Sequence, residues 1–216
     1  MPEEQTVPRS PLARLLFGLL LLLLFAVFSA LGTWQVERLF WKLDLIDRVE
    51  TRSHADPIAA PGRDQWSAIN PDTHEYLRVR ATGHFDYRRE VLVQASTERG
   101  PGFWVMTPLV AADGTAILIN RGFVPGDRRR PEDRRAADIS GMSTVIGLLR
   151  ITEPRGALLR TNDPAAGRWY SRDVAAISAR QGQADSAPYF IDADATPNAG
   201  GLPVGGLTVV SFRNSH

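Results

Sequence analysis

Cysteine is absent from the 216-residue chain. Its absence removes disulfides, thiolate metal sites, iron–sulfur ligation, a cysteine nucleophile and the covalent attachment of c-type haem in one step. Only three methionines occur, Met1, Met106 and Met142, and their separation gives no soft copper(I) site. Charge of one sign is lacking too: 25 Lys and Arg face 24 Asp and Glu, so no overall field favours nucleic acid or a charged substrate. There is no Walker loop, no G-x-S-x-G elbow and no H-E-x-x-H pair, so the strong local signatures of catalysis are missing. The chain therefore reads as a non-enzyme.

What the sequence does have is a long hydrophobic run. Leu12 to Leu31 reads LARLLFGLLLLLLFAVFSAL with the single charge Arg14, and a helix rising about 1.5 Å per residue spans the roughly 30 Å hydrocarbon layer over such a length. A cleavable signal peptide competes with this reading, since Phe28-Ser29-Ala30 resembles a small-residue cleavage site. The pattern nevertheless continues as a helix to about Arg52. Trp34, Leu39, Trp41, Leu45 and Val49 interleave with Glu37, Arg38, Lys42, Asp44, Asp47 and Arg48. Trp34 and Trp41 suit the aromatic belt at a membrane surface. Arg9 and Arg14 on the N-terminal flank predict a cytoplasmic N-terminus and a main domain across the membrane.

Beyond the helix, Pro57 to Pro71 reads as a linker. Strands are predicted at Tyr76–Thr82, ending in a turn at Gly83-His84-Phe85, and at Val91–Gln94, Gly102–Leu109, Ala116–Phe123, Thr144–Arg150, Pro188–Ile191 and Thr208–Phe212. Ala112-Asp113-Gly114-Thr115 is a hairpin turn, and only Asp173–Gln181 looks helical. The fold class is α+β and mainly antiparallel β, a sandwich or barrel with one or two short helices. The divisions are a cytoplasmic tail at 1–11, a transmembrane helix at 12–33, a helical extension at 34–52, a linker at 53–72 and a periplasmic β-rich domain at 73–216.

Individual polar residues have structural readings beside functional ones. Asp192 and Asp194 suit a hard cation, but Asp commonly ends a strand by bonding its own backbone. His54, His74 and His84 are not neighbours on any one turn or strand face. The run Asp127 to Arg135 holds five arginines and reads as a solvated loop, or as a surface for anionic lipid, an acidic partner or haem propionates. The segment Gly200 to Gly206 reads as a loop rather than a phosphate cradle, because Pro203 interrupts it and no Lys-Ser/Thr follows.

Several blocks together resemble one family. They are Leu31-Gly32-Thr33-Trp34-Gln35-Val36-Glu37-Arg38 with Trp41-Lys42, Val79-Arg80-Ala81-Thr82-Gly83-His84-Phe85-Asp86, and Ile119-Asn120-Arg121-Gly122-Phe123-Val124-Pro125. Further blocks are Gly147-Leu148-Leu149-Arg150, Asn162-Asp163-Pro164, Trp169-Tyr170-Ser171-Arg172-Asp173, Phe190-Ile191-Asp192-Ala193, Pro203-Val204-Gly205-Gly206 and Arg213-Asn214. In this order they are similar to the Surfeit locus protein 1 family, assembly factors of cytochrome c oxidase and related haem-copper terminal oxidases.

The resemblance implies an inner-membrane protein acting while haem a enters the oxidase's catalytic subunit. Its expected partners are that subunit, the haem a synthesis machinery and membrane lipid, with no nucleic acid. The family's proposed haem-iron ligand is the histidine of an Arg-Asn-x-His motif, which falls on Arg213-Asn214-Ser215-His216. The family pattern then continues into a second hydrophobic helix, which this chain is expected to lack. A haem a chaperone would use His216 on iron, with Trp34, Arg38 and Arg213 around the macrocycle and its propionates. A haem-free scaffold would instead stabilise an assembly intermediate through the β-domain, with Asn120-Arg121-Gly122-Phe123 as structure or partner surface. A membrane-tethered hydrolase would need a reactive cluster that the sequence does not offer.

Overall fold

The computed structural model describes residues 11–154, 156, 160–183 and 185–208. Contacts divide the chain between Arg48 and Val49 into two units. Most of helix α1 (Pro11–His54) makes up the first. It contains one stretch long and apolar enough to cross a membrane, with mean hydropathy 2.7 over eighteen residues and none of that window buried. Continuation of the helix well past Leu31 follows the alternation of apolar and charged side chains that the sequence predicted.

The second unit is a β-barrel. Its strands are β1 (Ile58–Ala59), β2 (Arg78–Phe85), β3 (Val91–Thr97), β4 (Gly100–Val110), β5 (Ala116–Pro125), β6 (Ser143–Ile151) and β7 (Ser186–Ala193). They form one sheet in the order β1-β2-β6-β7-β5-β4-β3, and pairing of β2 with β4 closes five of them into a ring. All barrel pairs are antiparallel except β5 with β7. Counted along the chain, the barrel strands close as 1-2-3-5-4-1 with the third and fifth parallel. This is the connectivity of the five-stranded Greek-key barrels called OB-folds. A barrel is thus what the mainly antiparallel pattern builds, and the β5–β7 pair is the parallel element within it.

Period-two alternation explains the packing. On β7, Tyr189 and Ile191 join Val79, Leu109, Ile119 and Leu149 in one buried cluster, while Phe190 between them faces a second cluster with Val93, Met106, Leu118 and Trp169. Both faces of β7 are covered, which is why Tyr189-Phe190-Ile191 is continuously apolar. The second cluster is capped by α3 (Val174–Arg180), which buries Val174 and Ile177. Asp173 caps that helix by accepting from the Ala176 N–H at 3.1 Å. A shorter helix, α2 (Pro71–His74), precedes β2 and is capped by Asn70.

Two local expectations are corrected. The segment Gly83-His84-Phe85 is no turn: β2 runs through Phe85, pairing His84 with Val110 and Phe85 with Leu109 where the barrel closes. A Cβ on Gly83 would lie 2.5 Å from the Val110 carbonyl oxygen, so glycine there permits close strand approach rather than a turn. The stretch from Pro57 to Pro71 carries β1, which pairs parallel with β2, and a 3-10 turn at Arg63–Ala68. The Asp-Gly hairpin joins β4 to β5 as its sequence indicates, with Gly114 at φ 84°. Of the strand expected at Thr208–Phe212, Thr208 lies in a turn and the remainder lies outside the described residues.

Because the closing seam meets backbone at Gly83, Gly83→Ala is expected to destabilise the protein by about 2–3 kcal/mol. The measurement is chemical denaturation followed by tryptophan fluorescence; an unchanged midpoint would contradict the close approach.

Candidate functional site

Two of the four residues assigned to cofactor binding by resemblance come together on α1. Trp34 and Arg38 are one turn apart, and the Arg38 guanidinium carbon sits 5.3 Å from the Trp34 ring centroid, a cation–π distance. With Glu37 and Trp41 they line a surface cavity of about 490 Å³. Spacings of three, four and seven residues put all four on one side of a single helix. Arg213 and His216 lie outside the described residues. In donor chemistry the described pair fits the edge of a haem, with indole for the macrocycle and guanidinium for a propionate. It supplies no iron ligand and no enclosing wall.

In the barrel, polar residues from several of the resemblance blocks converge on Asp192, whose side chain is 2% exposed. Its register partner on β5, Asn120, donates from Nδ2 to Asp192 Oδ1 at 2.8 Å. Arg150 donates to Oδ2 at 2.9 Å and Arg172 to Oδ1 at 3.1 Å. Arg172 also holds Glu153, while Arg150 bonds Glu75 at 3.4 Å and stacks over Tyr76 at 4.8 Å. Asn120 Oδ1 accepts from the Gly122 N–H at 3.1 Å. Gly122 sits at φ 131°, where a Cβ would meet the Val204 carbonyl oxygen at 2.4 Å. This backbone demand for glycine arises inside β5.

A second cluster surrounds Glu90. One carboxylate oxygen accepts from Arg134 and the other from Arg121, at 3.3 Å for the latter. The side chains of Arg121, Arg134 and Glu90 are only 5%, 4% and 10% exposed. Arg121 also donates to the Ala137 carbonyl at 2.8 Å and lies over the rings of Tyr87 and Phe85. Thr107 donates its hydroxyl to Glu90 at 3.0 Å. The run from Asp127 to Arg135 is therefore not wholly solvated, because Arg134 turns inward to a carboxylate 44 residues earlier in the chain. Nothing local marks Glu90 in the sequence. Its partner Arg121 stands in the quoted Asn120-Arg121-Gly122 block, and a buried arginine there is the one available signal for a carboxylate elsewhere.

The structural readings of the other polar residues fit this geometry. Asp194 pairs with Arg78 at 2.7 Å, so both carboxylates once set beside a hard cation meet guanidinium instead. His54 bonds the Glu50 carbonyl, and His74 lies in α2 beside Thr73. Among the described residues no group of three or more His, Cys, Asp or Glu could hold a metal ion. Val204 in the glycine-rich segment bridges to Phe123 on β5, a loop contact. Trp169 is 3% exposed and belongs to the core; Tyr170 is half-buried under the Arg160 guanidinium.

An apolar helix followed by a closed Greek-key barrel, with buried carboxylates and guanidiniums paired to one another, defines a helix-plus-barrel protein. The sequence pattern of the SURF1 family matches residues 22–216. Surfeit locus protein 1 of Rattus norvegicus is 38% identical over 212 residues, covering 91% of this chain and 67% of the rat protein. The human protein of that name is 36% identical over 91% of this chain and 69% of its own length. A SURF1-like protein of Caenorhabditis briggsae is 31% identical over 92% of this chain and 68% of its own. The chain belongs to the SURF1 family.

Two outcomes follow from the buried clusters. Glu90→Gln leaves Arg134 without a carboxylate and Arg121 with only the partly exposed Asp138 at 3.4 Å, and is expected to lower stability by about 3 kcal/mol or more in denaturant titration. At Glu153, burial pushes the carboxyl up, and the hydrogen bonds and charge of Arg172 outweigh it and hold it below its ordinary value. A carboxyl depressed in the folded state contributes stability above its unfolded pKa and loses it as pH falls through the folded value. The melting temperature should therefore fall below about pH 4, and Glu153→Gln should reduce that fall. An identical acid limb in the variant would contradict the Arg172 pairing.

Proposed function

We propose that this chain is an assembly factor for a haem-copper terminal oxidase and acts without catalysing a reaction. The observation that carries the reading is that one family pattern spans both the apolar helix and the barrel, over residues 22–216. The engagement of Asn120 and Arg172 with Asp192, and of Arg121 with Glu90 and the Ala137 carbonyl, supports a barrel that works as a shaped surface, since none of these groups is free for chemistry. On this reading α1 anchors the protein in the inner membrane with its N-terminus cytoplasmic and the barrel periplasmic. Its partner is the catalytic subunit of cytochrome c oxidase, with the haem a synthesis machinery beside it.

The finer reading is transient haem a binding. A bound haem a would bring the iron centre that the oxidase needs. His216 would hold it as imidazole ligand, with Arg213 and Arg38 toward propionates and Trp34 against the macrocycle. Trp34 and Arg38 already share one helix surface, which supports their acting together. A haem-free scaffold is the second reading, and the one-sided surface around Trp34 favours it, because haem retention depends on an enclosing apolar pocket.

The test is the visible absorption spectrum of the detergent-purified chain from a host that makes haem a, beside His216→Ala and Trp34→Ala/Arg38→Gln. A haem a spectrum lost in His216→Ala, with the oxidase subunit still co-purifying, is the expected result. A colourless wild-type protein that co-purifies with the subunit would overturn haem binding and leave the scaffold.

A further inference from the structure

The barrel carries a basic groove that the haem reading does not use. About 580 Å³ in volume, it lies where the β3–β4 hairpin meets the segment between β6 and β7. Phe103, Trp169 and Tyr170 line it on the apolar side, and Arg129, Arg130 and Arg168 on the other, with no carboxylate among the lining residues. Arg168 is paired with Asp163 at 2.5 Å. The exposed side chains of Arg129 and Arg130 have no hydrogen-bond or ion-pair partner among the described residues. In an OB-type barrel the face of the second and third strands, with the loops after the first and fourth, is a general ligand face, used for oligonucleotides and oligosaccharides. This groove overlaps part of that place: Phe103 is on the second barrel strand, Leu92 and Gln94 follow the first, Trp169 and Tyr170 follow the fourth, and Arg129 and Arg130 come from the connection after the third.

The rim is held rather than loose. Arg134 Nη1 donates to the Arg129 carbonyl at 2.8 Å and to the Arg130 carbonyl at 3.0 Å, while its other nitrogens grip buried Glu90. The backbone bearing the two unpaired guanidiniums is thus tied to the ion cluster around Glu90. Fixing donors before a ligand arrives reduces the ordering cost of binding.

We propose that this groove binds an extended acidic peptide segment of a partner protein. Charge selects the occupant, because two unpaired guanidiniums without a nearby lining carboxylate call for carboxylates, which guanidinium binds through paired donors. Position suits an extended form: β3 is the terminal strand of the sheet, and beyond the contact at Trp169, whose carbonyl accepts from the Gln94 N–H at 2.8 Å, no further strand pairs with it among the described residues. An extended segment can lie along such an edge. Nucleic acid fits less well. Trp169 is buried and offers no stacking face for a base, and one side of the Tyr170 ring is taken by the Arg160 guanidinium at 5.4 Å from its centroid. The inference rests on the groove alone and stands whether or not haem a is bound.

The test uses the full chain in detergent and fluorescence anisotropy with a labelled decapeptide of alternating Glu and Tyr, its Lys-for-Glu counterpart and a labelled thymidine decanucleotide. Arg129→Gln/Arg130→Gln is compared with Arg128→Gln/Arg135→Gln, which removes the same charge from exposed positions outside the groove lining. Binding of the acidic peptide, weakened about tenfold or more by the first pair and little by the second, is the expected result. Melting curves should match across the variants. The proposal is overturned if the acidic peptide does not bind, if both pairs weaken it equally, or if the Lys peptide or the decanucleotide binds as tightly.

Discussion

Burial of guanidinium against carboxylate, at the barrel's end around Glu90 and on the covered outer face of β7 at Asp192, is the constraint on which the rest of this structure depends. Desolvating an ion costs several kcal/mol, and that cost is offset only when each charge meets a well-placed opposite charge and its remaining donors find acceptors. Glu90 meets this condition by accepting from Arg121, Arg134 and Thr107 together. Asp192 meets it with Asn120, Arg150 and Arg172. Each cluster joins strands to long connecting segments: Glu90 fixes the loop through Arg134 to β5, and Asp192 ties β5, β6 and β7 to the segment carrying Arg172. With two such anchors, connections that are irregular in backbone are nevertheless set in one arrangement.

That arrangement explains how the barrel can present one fixed surface. The barrel offers no described metal-ligand group, and its most polar buried residues are engaged with one another. What it presents outward is shape and fixed charge, above all at the loop whose carbonyls Arg134 holds. The apolar helix adds a membrane-compatible stretch and, past it, the Trp34–Arg38 surface. Anchoring and presentation are the two physical capacities here, and both suit a protein that works by holding others in place.

Much of this was legible in the sequence. The helix announced itself by a long apolar run and its extension by interleaved charges; α3 by Val174, Ile177 and Ser178 on one side; the β4–β5 hairpin by Asp113-Gly114. Alternation marked β2, and β-branched and aromatic content between Gly, Pro and Asp marked the other barrel strands; the residues quoted for the family resemblance include Asn120, Arg121, Arg172 and Asp192. Other features were hidden for physical reasons. The closure at Gly83 looks like a turn because glycine serves both turns and close approach, and only the partner strand decides between them. Arg134 looks solvated because its partner Glu90 is far away in sequence, and a charge run carries no mark of which member turns inward. The two-residue β1 is too short to show alternation.

The most direct test of the central claim is genetic and spectroscopic. In a bacterium deleted for its own SURF1-family gene, this chain is expressed and membranes are examined by reduced-minus-oxidised difference spectroscopy for the haem a of assembled oxidase. The account predicts that the haem a signal lost on deletion returns when the chain is present in the membrane. A chain that accumulates there at normal levels while the signal stays absent would contradict it.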